Sequence, residues 1–428
     1  MENDYSKIAY LSEHYDKVQT VMHYINAEAL MNEHKNQKSR KAPGIDGITK
    51  EDYGIALKEN VDLLIKRMKA FSYKPKPVRR TYIPKGDGKT RPLGIPSYED
   101  KLVQGVMRKV LDAVYEGKFM DFSFGFRPGK NCHKAIREVN QIIMTKKVNF
   151  IVDVDIKGFF NNVNQDWLLK FLAHDIQDKN FLRYIVRILK SGMMEELKYY
   201  ESDKGTPQGG LISPVLANVY LHYVLDIWFE KGVKKYFKGE AQIVRYADDF
   251  VCFFQYENEA NLFLKLLKER LAKFSLEVSE EKTKLIPFGR FAKEKSPSSR
   301  TEGFDFLGFA HYNGETRKGR YRVIHRTSKK KLKLKKKAVK DWMHDNMHGK
   351  LSDTIKLLNR KIVGHYAYYG ISGNYEGLRK FYKFIEIQLY KTLKRRSQRQ
   401  WITYTRYKKI LDKFSIVKPK LYVNIWSM

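Results

Sequence analysis

The sequence predicts an α+β fold in which antiparallel strands lie between helix-rich ends. An apolar run over residues 149–155 is typical of a buried strand, and a second run over residues 242–254 predicts a hairpin. Past Arg320 the character of the chain changes, and the basic, aromatic segment that begins at Lys329 is expected to be all helical. These observations together favour an antiparallel sheet covered by helices.

The first third of the chain is expected to be mainly helical. In the first 30 or so residues, apolar side chains recur at helical spacing, namely Val18, Val21, Met22 and Ile25. Pro43–Gly47 predicts a turn-rich loop, and Leu57–Met68 predicts a helix. The extended stretch Tyr73–Val78 leads into a hairpin over Arg80–Ile95, with its turn at Gly86–Gly88.

Predicted helices alternate with the strand regions in the middle of the chain. Helices are expected at Asp100–Val114, from about Gln165, from near Ser213 and at Glu257–Phe274. The lysine-rich run 329–337 then opens the basic C-terminal part. Such a run is usually a solvated helix face, but the net charge of the chain favours a nucleic-acid contact.

The charge of the chain is its most unusual bulk property. Lys and Arg number 82 against 48 Asp and Glu, which leaves a net charge of +34. This excess favours a polyanionic partner, most plausibly nucleic acid, with a membrane surface as the competing partner. No apolar run of about 18 residues and no signal-peptide pattern occurs, so we expect a cytoplasmic protein. Cys132 and Cys252 lack metal-ligand spacing, which predicts no structural zinc.

Two pairs of acidic residues are the strongest candidates for chemistry. Asp248 and Asp249 interrupt an apolar hairpin, where unpaired carboxylates are costly to bury unless a cation compensates them. Within five residues only Arg245 could neutralise them, so a divalent metal is the simplest explanation, with a solvated turn as the alternative. Asp153 and Asp155 share one face of the predicted strand 149–155. Four carboxylates from two neighbouring strands could bind Mg²⁺ for nucleotidyl transfer.

Two glycine-rich segments fit the same chemistry. Lys85 and Arg91 flank the predicted turn of the first hairpin and could clamp a triphosphate. The loop Gly205–Pro214 precedes a predicted helix, and its Gly209 and Gly210 permit close approach of the backbone to a flat ligand. Each signal is weak alone, because a glycine loop with nearby cations is most often only a turn.

These features together resemble the reverse transcriptases of the group II intron maturase class. The blocks that carry the resemblance stand in family order: Pro43–Gly47, Ile83–Pro96, Ser123–Gly129, Val152–Phe160, Gly205–Gly210, Tyr246–Asp249 and Phe306–Phe309. They span roughly residues 40–310, and the thumb-like Gly364–Tyr369 extends the match to about residue 396. The resemblance implies a right-hand polymerase with fingers, an antiparallel ferredoxin-like palm and a helical thumb.

The resemblance assigns domains and metal ligands. It implies an N-terminal extension and fingers over 1–145, a palm over 146–326, a maturase X-like thumb over 327–396 and a short basic tail over 397–428. Asp155 is favoured over Asp153, because the family's metal-binding Asp lies five residues before the aromatic that excludes ribonucleotides. That sugar gate would be Phe160, whose alternative is a core aromatic. Two Mg²⁺ ions, with Mn²⁺ as a substitute, would be bound by Asp155, the Ile156 carbonyl, Asp248 and Asp249.

The resemblance also assigns substrate contacts. Lys85 and Arg91 would bind the incoming dNTP and Gln208 would lie near the nucleotide or template base, whereas Lys282 would donate a proton to pyrophosphate or be an ordinary surface lysine. Nucleic acid would be contacted by the primer-gripping turn Leu307–Gly308, by the lysines Lys329, Lys330 and Lys331, and by Arg127, unless Arg127 pairs internally. His365 stands where Trp is usual, which we expect to be a packing variation.

The implied activity is RNA-directed DNA synthesis from a DNA or RNA primer, with binding and splicing of a parent intron RNA and a role in intron mobility. An HNH endonuclease is not expected, because the residues after the thumb contain no Cys or His. Two alternatives stay open: a splicing-only maturase with an idle polymerase centre, and a host-adopted reverse transcriptase that serves DNA repair or phage defence. The oligomeric state is left open.

Overall fold

The structure, a computed structural model, describes residues 5–85, 89–195, 198–201, 204–206, 209–292, 302–396 and 402–426, without the side chains of residues 85 and 89. The chain divides into two compact units. The first comprises Met1–Asn131, Val154–Phe250 and Asn261–Thr283, and the second comprises Cys132–Asp153, Val251–Ala260 and Lys284–Met428. Their interleaving along the chain means that neither unit is a contiguous segment.

The N-terminal part is helical, but not where its apolar spacing predicted. The helices are α1 (Ser6–His14), α2 (Ala27–Asn36), α3 (Lys50–Ile55) and α4 (Leu57–Lys69), with a 3₁₀ turn at Met22–Tyr24. Val18, Val21, Met22 and Ile25 all lie outside the α-helices, so that prediction was wrong. The Asp178 carboxylate instead accepts the Val21 and Met22 amides, and Val18 forms a bridge with Ile176. Long-range packing therefore buries these side chains without a helix.

The first hairpin is confirmed as β1 (Val78–Lys85) and β2 (Lys89–Ile95). The strands pair antiparallel, and Arg91 lies opposite Ile83. The predicted turn Gly86–Gly88 lies outside the described residues. With β4 (Met193–Glu195) and β5 (Lys198–Tyr200) the hairpin forms a sheet of order β2-β1-β4-β5.

The helix α5 (Tyr98–Tyr115) follows the hairpin and is the main core helix of the first unit. The Ser97 hydroxyl caps it by accepting the Asp100 amide, which satisfies one of the amides that a helix start leaves unpaired. Most of its side chains are buried, including Val103, Val106 and Val110. The predicted helix over Asp100–Val114 is therefore confirmed.

A second sheet has the strand order β6-β7-β3-β8, with β3 (Phe150–Asp155), β6 (Ala241–Tyr246), β7 (Asp249–Phe254) and β8 (Lys284–Pro287). Both predicted strand regions are thus confirmed. The first residues of β3 are fully buried, which explains their continuous apolar run.

The remaining described helices before residue 275 are α6 (Cys132–Thr145), α7 (Phe159–Asn162), α8 (Gln165–Asp175), α9 (Lys179–Leu189), α10 (Ser213–Leu221) and α11 (Glu257–Lys273). Those that begin at Gln165, Ser213 and Glu257 confirm the predictions, whereas the other three were not predicted. After α10 the chain continues as π-helical turns over His222–Asp226 and Trp228–Gly232 and a 3₁₀ turn over Val233–Tyr236. π-Helical turns often occur beside functional sites, and Asp226 is used below.

The second unit continues with a three-stranded sheet and a helical bundle. The strands β9 (Gly303–Phe306), β10 (Phe309–Glu315) and β11 (Tyr321–Thr327) have the order β11-β10-β9. The helices are α12 (Lys329–Asp345), α13 (Leu351–Tyr369), α14 (Tyr375–Arg395) and α15 (Tyr404–Lys413). In the described residues between Lys329 and Lys413 the expected helical character is confirmed. The strand β11 precedes this segment and pairs along its whole length with β10.

The core of the helical bundle explains why His365 can stand where the family usually has Trp. Its ring is buried on α13 and packs 4.1 Å from the Phe381 ring and 4.7 Å from the Tyr369 ring, centroid to centroid. Burial lowers the pKa of His365 to about 4, so the imidazole is neutral at pH 7. His365 therefore fills an aromatic position in the core, as expected for a packing variation.

The observed class is mixed helix and sheet, which agrees with the predicted α+β fold. The right-hand arrangement and its domain boundaries stay predictions. Within the described part of the chain, no helix combines the length and apolar character needed to cross a bilayer.

Candidate active site

The acidic hairpin forms a tight turn at the end of β6. Ala247 and Asp248 lie between β6 and β7, and Ala247 has a left-handed backbone with φ of 58°. Ala247 is buried, Asp248 is half-buried and Asp249 is exposed. The turn therefore presents the first carboxylate in a partly desolvated position and the second toward solvent.

Arg245 supports this turn from beneath. It is fully buried, and its guanidinium forms a two-pronged ion pair with Asp226, with N–O distances of 2.7 and 2.5 Å. One guanidinium nitrogen also donates to Asn218 Oδ1 and to the Ala247 carbonyl, both at 3.0 Å. The direct partner of Arg245 is therefore Asp226, and its charge also lowers the pKa of Asp248.

The direction of two neighbouring strands brings the other acidic residue to this turn. The Asn149 amide, just before β3, donates to the carbonyl of Phe254 at the end of β7, at 2.9 Å. The strands therefore run antiparallel, and the end of β3 at Asp155 lies beside the start of β7 at Asp249. Asp155 accordingly acts on Asp248 electrostatically.

Asp248 is a carboxylate whose ionisation is disfavoured in the folded protein. Burial raises its pKa, and the nearby Asp155 charge raises it further, whereas its own backbone amide, Arg91 and Arg245 lower it. The net direction is upward. A bound cation would remove this cost, because it favours the ionised carboxylate.

Lys282 supplies a positive charge to Asp155. Its Nζ lies 2.8 Å from Asp155 Oδ2, and both side chains are substantially exposed. The lysine follows a turn in which the Lys282 amide donates to the Ser279 carbonyl, and the Ser279 amide donates to the Asp155 carbonyl at 2.8 Å. The sequence analysis left Lys282 as either a proton donor or an ordinary surface lysine. In the structure its ammonium pairs with Asp155, the residue favoured as a metal ligand.

The Ile156 carbonyl is oriented by an isolated antiparallel bridge between Ile156 and Val278. The bonds of this bridge use the neighbours of Ile156: Lys157 donates to the Glu277 carbonyl, and the Asp155 carbonyl accepts from Ser279. In such a non-hydrogen-bonded pair, the backbone N–H and C=O of each paired residue point away from the partner strand. The Ile156 carbonyl therefore points away from Val278.

Asp153 lies opposite Lys284 on β8.

The donor set suits a hard cation but is not one tight cluster. Among the described residues, no group of three or more His, Cys, Asp or Glu side chains is arranged to hold a metal ion. The oxygens of Asp155 and Asp248 nevertheless share one electrostatic neighbourhood, and oxygen donors of this type are those that Mg²⁺ prefers. These residues fit a magnesium site by their chemistry.

Phe160 lies on the short helix α7, five residues after Asp155. Its side chain is half-buried, and its ring lies edge-on to Phe159 at 5.4 Å. The Phe160 carbonyl accepts the Thr206 amide at 2.9 Å, which fastens the glycine-rich loop to α7. The ring is thus held on a well-anchored backbone but is not enclosed in the core.

The glycine-rich loop also approaches the first hairpin. Gly209 has φ of 111°, and a Cβ placed there would lie 2.5 Å from the Gly94 carbonyl oxygen. Only glycine allows this contact between loop and β2. Gln208 lies outside the described residues. Arg91 on the same strand is exposed and acts electrostatically on Asp248, whereas the Lys85 side chain is outside the described set.

Arg127 takes the internal alternative that the sequence left open. It is buried, and its guanidinium bonds to the Glu116 carboxylate and to the carbonyls of Glu116, Met120 and Ser123. The ring of Phe119 lies 5.3 Å below it. These contacts employ all three guanidinium nitrogens, so the geometry does not favour a contact with RNA.

The turn Leu307–Gly308 joins β9 to β10 with φ of 51° and 79°. Two successive left-handed residues are typical of a type I′ hairpin turn. The Tyr368 hydroxyl donates to the Leu307 carbonyl at 2.8 Å, and the Ser328 amide donates to the Gly308 carbonyl at 3.0 Å. Helices α12 and α13 thus hold the turn. Lys329, Lys330 and Lys331 are exposed at the start of α12, which Ser328 caps.

Sequence reasoning missed the groups that support the site. Asp226 and Asn218 hold Arg245, although neither lies near it in sequence. The available signal was an acidic residue within an otherwise apolar helical stretch, since a buried charge requires a partner.

Comparison with known proteins gives a consistent result. The family model described as reverse transcriptase (RNA-dependent DNA polymerase) matches residues 83–311. The group II intron-encoded protein LtrA of Lactococcus lactis subsp. cremoris is 38% identical over 190 residues, which are 44% of this chain and 31% of LtrA. The putative COX1/OXI3 intron 1 protein of Saccharomyces cerevisiae is 34% identical over 218 residues, which are 51% of this chain and 26% of that protein.

A further relative, the protein YkfC of Escherichia coli K12, is 30% identical over 320 residues, which are 68% of this chain and 81% of YkfC. The match to LtrA spans less than a third of that protein's length. The family model covers more than half of the present chain and the names of the relatives agree with the motifs. The chain therefore belongs to the reverse transcriptase family and resembles its group II intron members.

Proposed function

We propose that this protein is an RNA-directed DNA polymerase that extends a DNA or RNA primer on an RNA template by two-metal nucleotidyl transfer. The observation that carries the proposal is the pair Asp155 and Asp248, presented from neighbouring strand ends with a raised pKa at Asp248. Carboxylates kept at such a cost are typical of functional sites. The family membership supports the same chemistry.

Asp155, the Ile156 carbonyl, Asp248 and Asp249 would hold two Mg²⁺ ions, or Mn²⁺ in their place. Bound there, the ions would activate the primer 3′-hydroxyl and stabilise the leaving pyrophosphate. Lys282 now pairs with Asp155. The Lys282 ammonium lies at the reaction centre of this proposal, where it would donate a proton to pyrophosphate.

The remaining residues would select and hold the nucleotide. Arg91 and Lys85 would bind the triphosphate, and Gln208 would lie beside the nucleotide or template base. Phe160 would exclude the 2′-hydroxyl of a ribonucleotide, a role supported by its partly exposed ring on an anchored backbone. The domain assignment into fingers (1–145), palm (146–326), thumb (327–396) and tail (397–428) belongs to the same proposal.

Primer extension tests the enzyme directly. The assay contains an RNA template, a DNA primer, dNTPs and Mg²⁺, and compares wild type with Asp248→Ala and with Asp62→Ala, a substitution of an exposed carboxylate on α4. We expect long cDNA from wild type and Asp62→Ala and none from Asp248→Ala. In a further arm with rNTPs, Phe160→Ala should incorporate ribonucleotides. Absence of cDNA from folded, RNA-binding wild type would favour a splicing-only maturase.

We further propose that the protein binds and helps to splice a parent intron RNA and takes part in intron mobility. The net charge of +34 and the exposed lysines at the start of α12 support RNA binding. Affinity for generic RNA should fall steeply with salt, whereas a cognate intron held by its shape should keep an advantage. Equal affinities at every salt concentration would exclude this part of the proposal. The genomic flanks of the gene would separate it from a host-adopted enzyme of DNA repair or phage defence.

A further inference from the structure

An exposed aromatic ring stands beside the acidic turn. Phe126 is 54% exposed, and its backbone is left-handed with φ of 59°. For a side chain other than glycine this conformation is strained, since the Cβ crowds the backbone. Its ring centroid lies 6.4 Å from that of Tyr246, the residue before the turn that carries Asp248.

The segment on both sides of Phe126 is rigidly held. Upstream, the Phe124 amide donates to the Arg245 carbonyl at 2.8 Å, and Asn218 donates to the Gly125 carbonyl at 2.7 Å. A Cβ at Gly125 would lie 2.3 Å from the Ala247 amide nitrogen, so the two backbones touch. Downstream, Arg127 is buried in its own network of bonds. These contacts fix the position of Phe126 without any contribution from its ring.

A strained residue that leaves a large apolar ring in solvent does little for the stability of the fold. Strained backbone conformations of this kind cluster at active sites and at positions that hold ligands. The group that a polymerase must place beside Asp155 and Asp248 is the 3′ end of the primer. Aromatic rings bind nucleic acids by stacking on bases, with little regard to sequence.

We propose that the Phe126 ring stacks on the base at the primer 3′ terminus and positions that end for attack. The inference rests on the proposed polymerase function and adds a positioning residue to it. Arg127 and Gly125 act as the anchors that hold the ring in place, and the Tyr246 ring lies 6.4 Å from it.

The test is steady-state primer extension with Phe126→Gly, Phe126→Trp and a matched control, Phe71→Gly. Phe71 is also a partly exposed phenylalanine with a left-handed backbone, φ of 54°, but its ring lies under Arg183 on α9. Glycine relieves the strain at either position, so both variants should melt no lower than wild type apart from the lost Arg183 contact.

We expect Phe126→Gly to raise the KM for primer–template about 10-fold, in line with the loss of one base stack, and Phe126→Trp to stay within about 2-fold of wild type. Phe71→Gly should leave KM unchanged. With a primer whose terminal nucleotide carries no base, wild type and Phe126→Gly should become alike.

An unchanged KM for Phe126→Gly on the ordinary primer would overturn the inference, and so would a defect of equal size on the abasic primer, because the ring would then contact something else. Either outcome leaves the polymerase intact. Failure of wild type to make cDNA would instead contradict the proposed function itself, so the two failures are distinguishable.

Discussion

The buried ion pair between Arg245 and Asp226 offers the sharpest test of how the acidic turn is held. Both side chains are fully buried, and the guanidinium also bonds to the carbonyl of Ala247 within the turn. In Arg245→Met the alkyl stem is largely kept, but Asp226 loses the partner of its charge. Removal of one member of a buried pair costs about 3–5 kcal/mol, because the other charge stays buried without compensation.

The loss of stability can be measured as a fall in melting temperature, and the effect on the acidic turn as a fall in primer extension. For a unit of roughly this size, each kcal/mol lowers the melting temperature by about 2–4 °C, so Arg245→Met should melt roughly 6–20 °C below wild type. The double variant Arg245→Met with Asp226→Leu removes both charges and should regain much of that loss. Primer extension should stay impaired in the double variant, because the bond from Arg245 to Ala247 is still missing.

Thermal melts followed by circular dichroism, with primer extension at 20 °C, separate the two effects. A melting temperature of Arg245→Met within 2 °C of wild type would refute the reasoning about the buried charge. Full polymerase activity in the stable double variant would show that the turn does not depend on Arg245. Lys231→Met, at an exposed lysine of the same π-helical region as Asp226, is the control and should change neither measurement.

Four further predictions follow from individual contacts. The pKa of Asp248 is raised in the folded protein, so its ionisation destabilises the metal-free protein as the pH rises through that pKa. Asp248→Asn should therefore melt at a higher temperature than wild type at pH 7 and lose this advantage below about pH 4. Equal melting temperatures of the two proteins at both pH values would contradict this prediction. Lys282→Met removes an exposed ion pair that contributes less than about 1 kcal/mol to stability. It should nevertheless lower the rate of single-turnover primer extension about 100-fold if the ammonium is a proton donor. An unchanged rate would identify Lys282 as an ordinary surface lysine. Arg127→Met should lower the melting temperature without changing the salt dependence of RNA binding, whereas a reduced slope in filter binding would restore its predicted RNA contact. Gly209→Ala should raise the KM for dNTP in primer extension because its Cβ would clash with the Gly94 carbonyl, and wild-type kinetics would show that the loop can move away.

Pattern and resemblance located the strand ends and the hairpin turn that carry the proposed site residues. The strand that ends at Asp155 and the hairpin that carries Asp248 could be predicted because apolar runs interrupted by acidic residues have few explanations. The helices Tyr98–Tyr115 and Glu257–Lys273 were predicted for the same reason, since their periodicity is long and regular.

One prediction failed because its pattern had two meanings. The apolar residues Val18 and Val21 have helical spacing, but they are buried by contacts with a segment more than 150 residues away. Distant contacts override the local helical preference there.

By itself, the sequence determined the family, the α+β class and the identity of the acidic residues, because these depend on residue types at short spacings along the chain. Tertiary structure alone decided which groups compensate which charges. Arg245 lies three residues from Asp248 but pairs with Asp226, whereas Lys282 reaches Asp155 from 127 positions away. The physical reason is that a charge is compensated by whichever partner the fold places within about 4 Å, and spacing in sequence does not specify that distance.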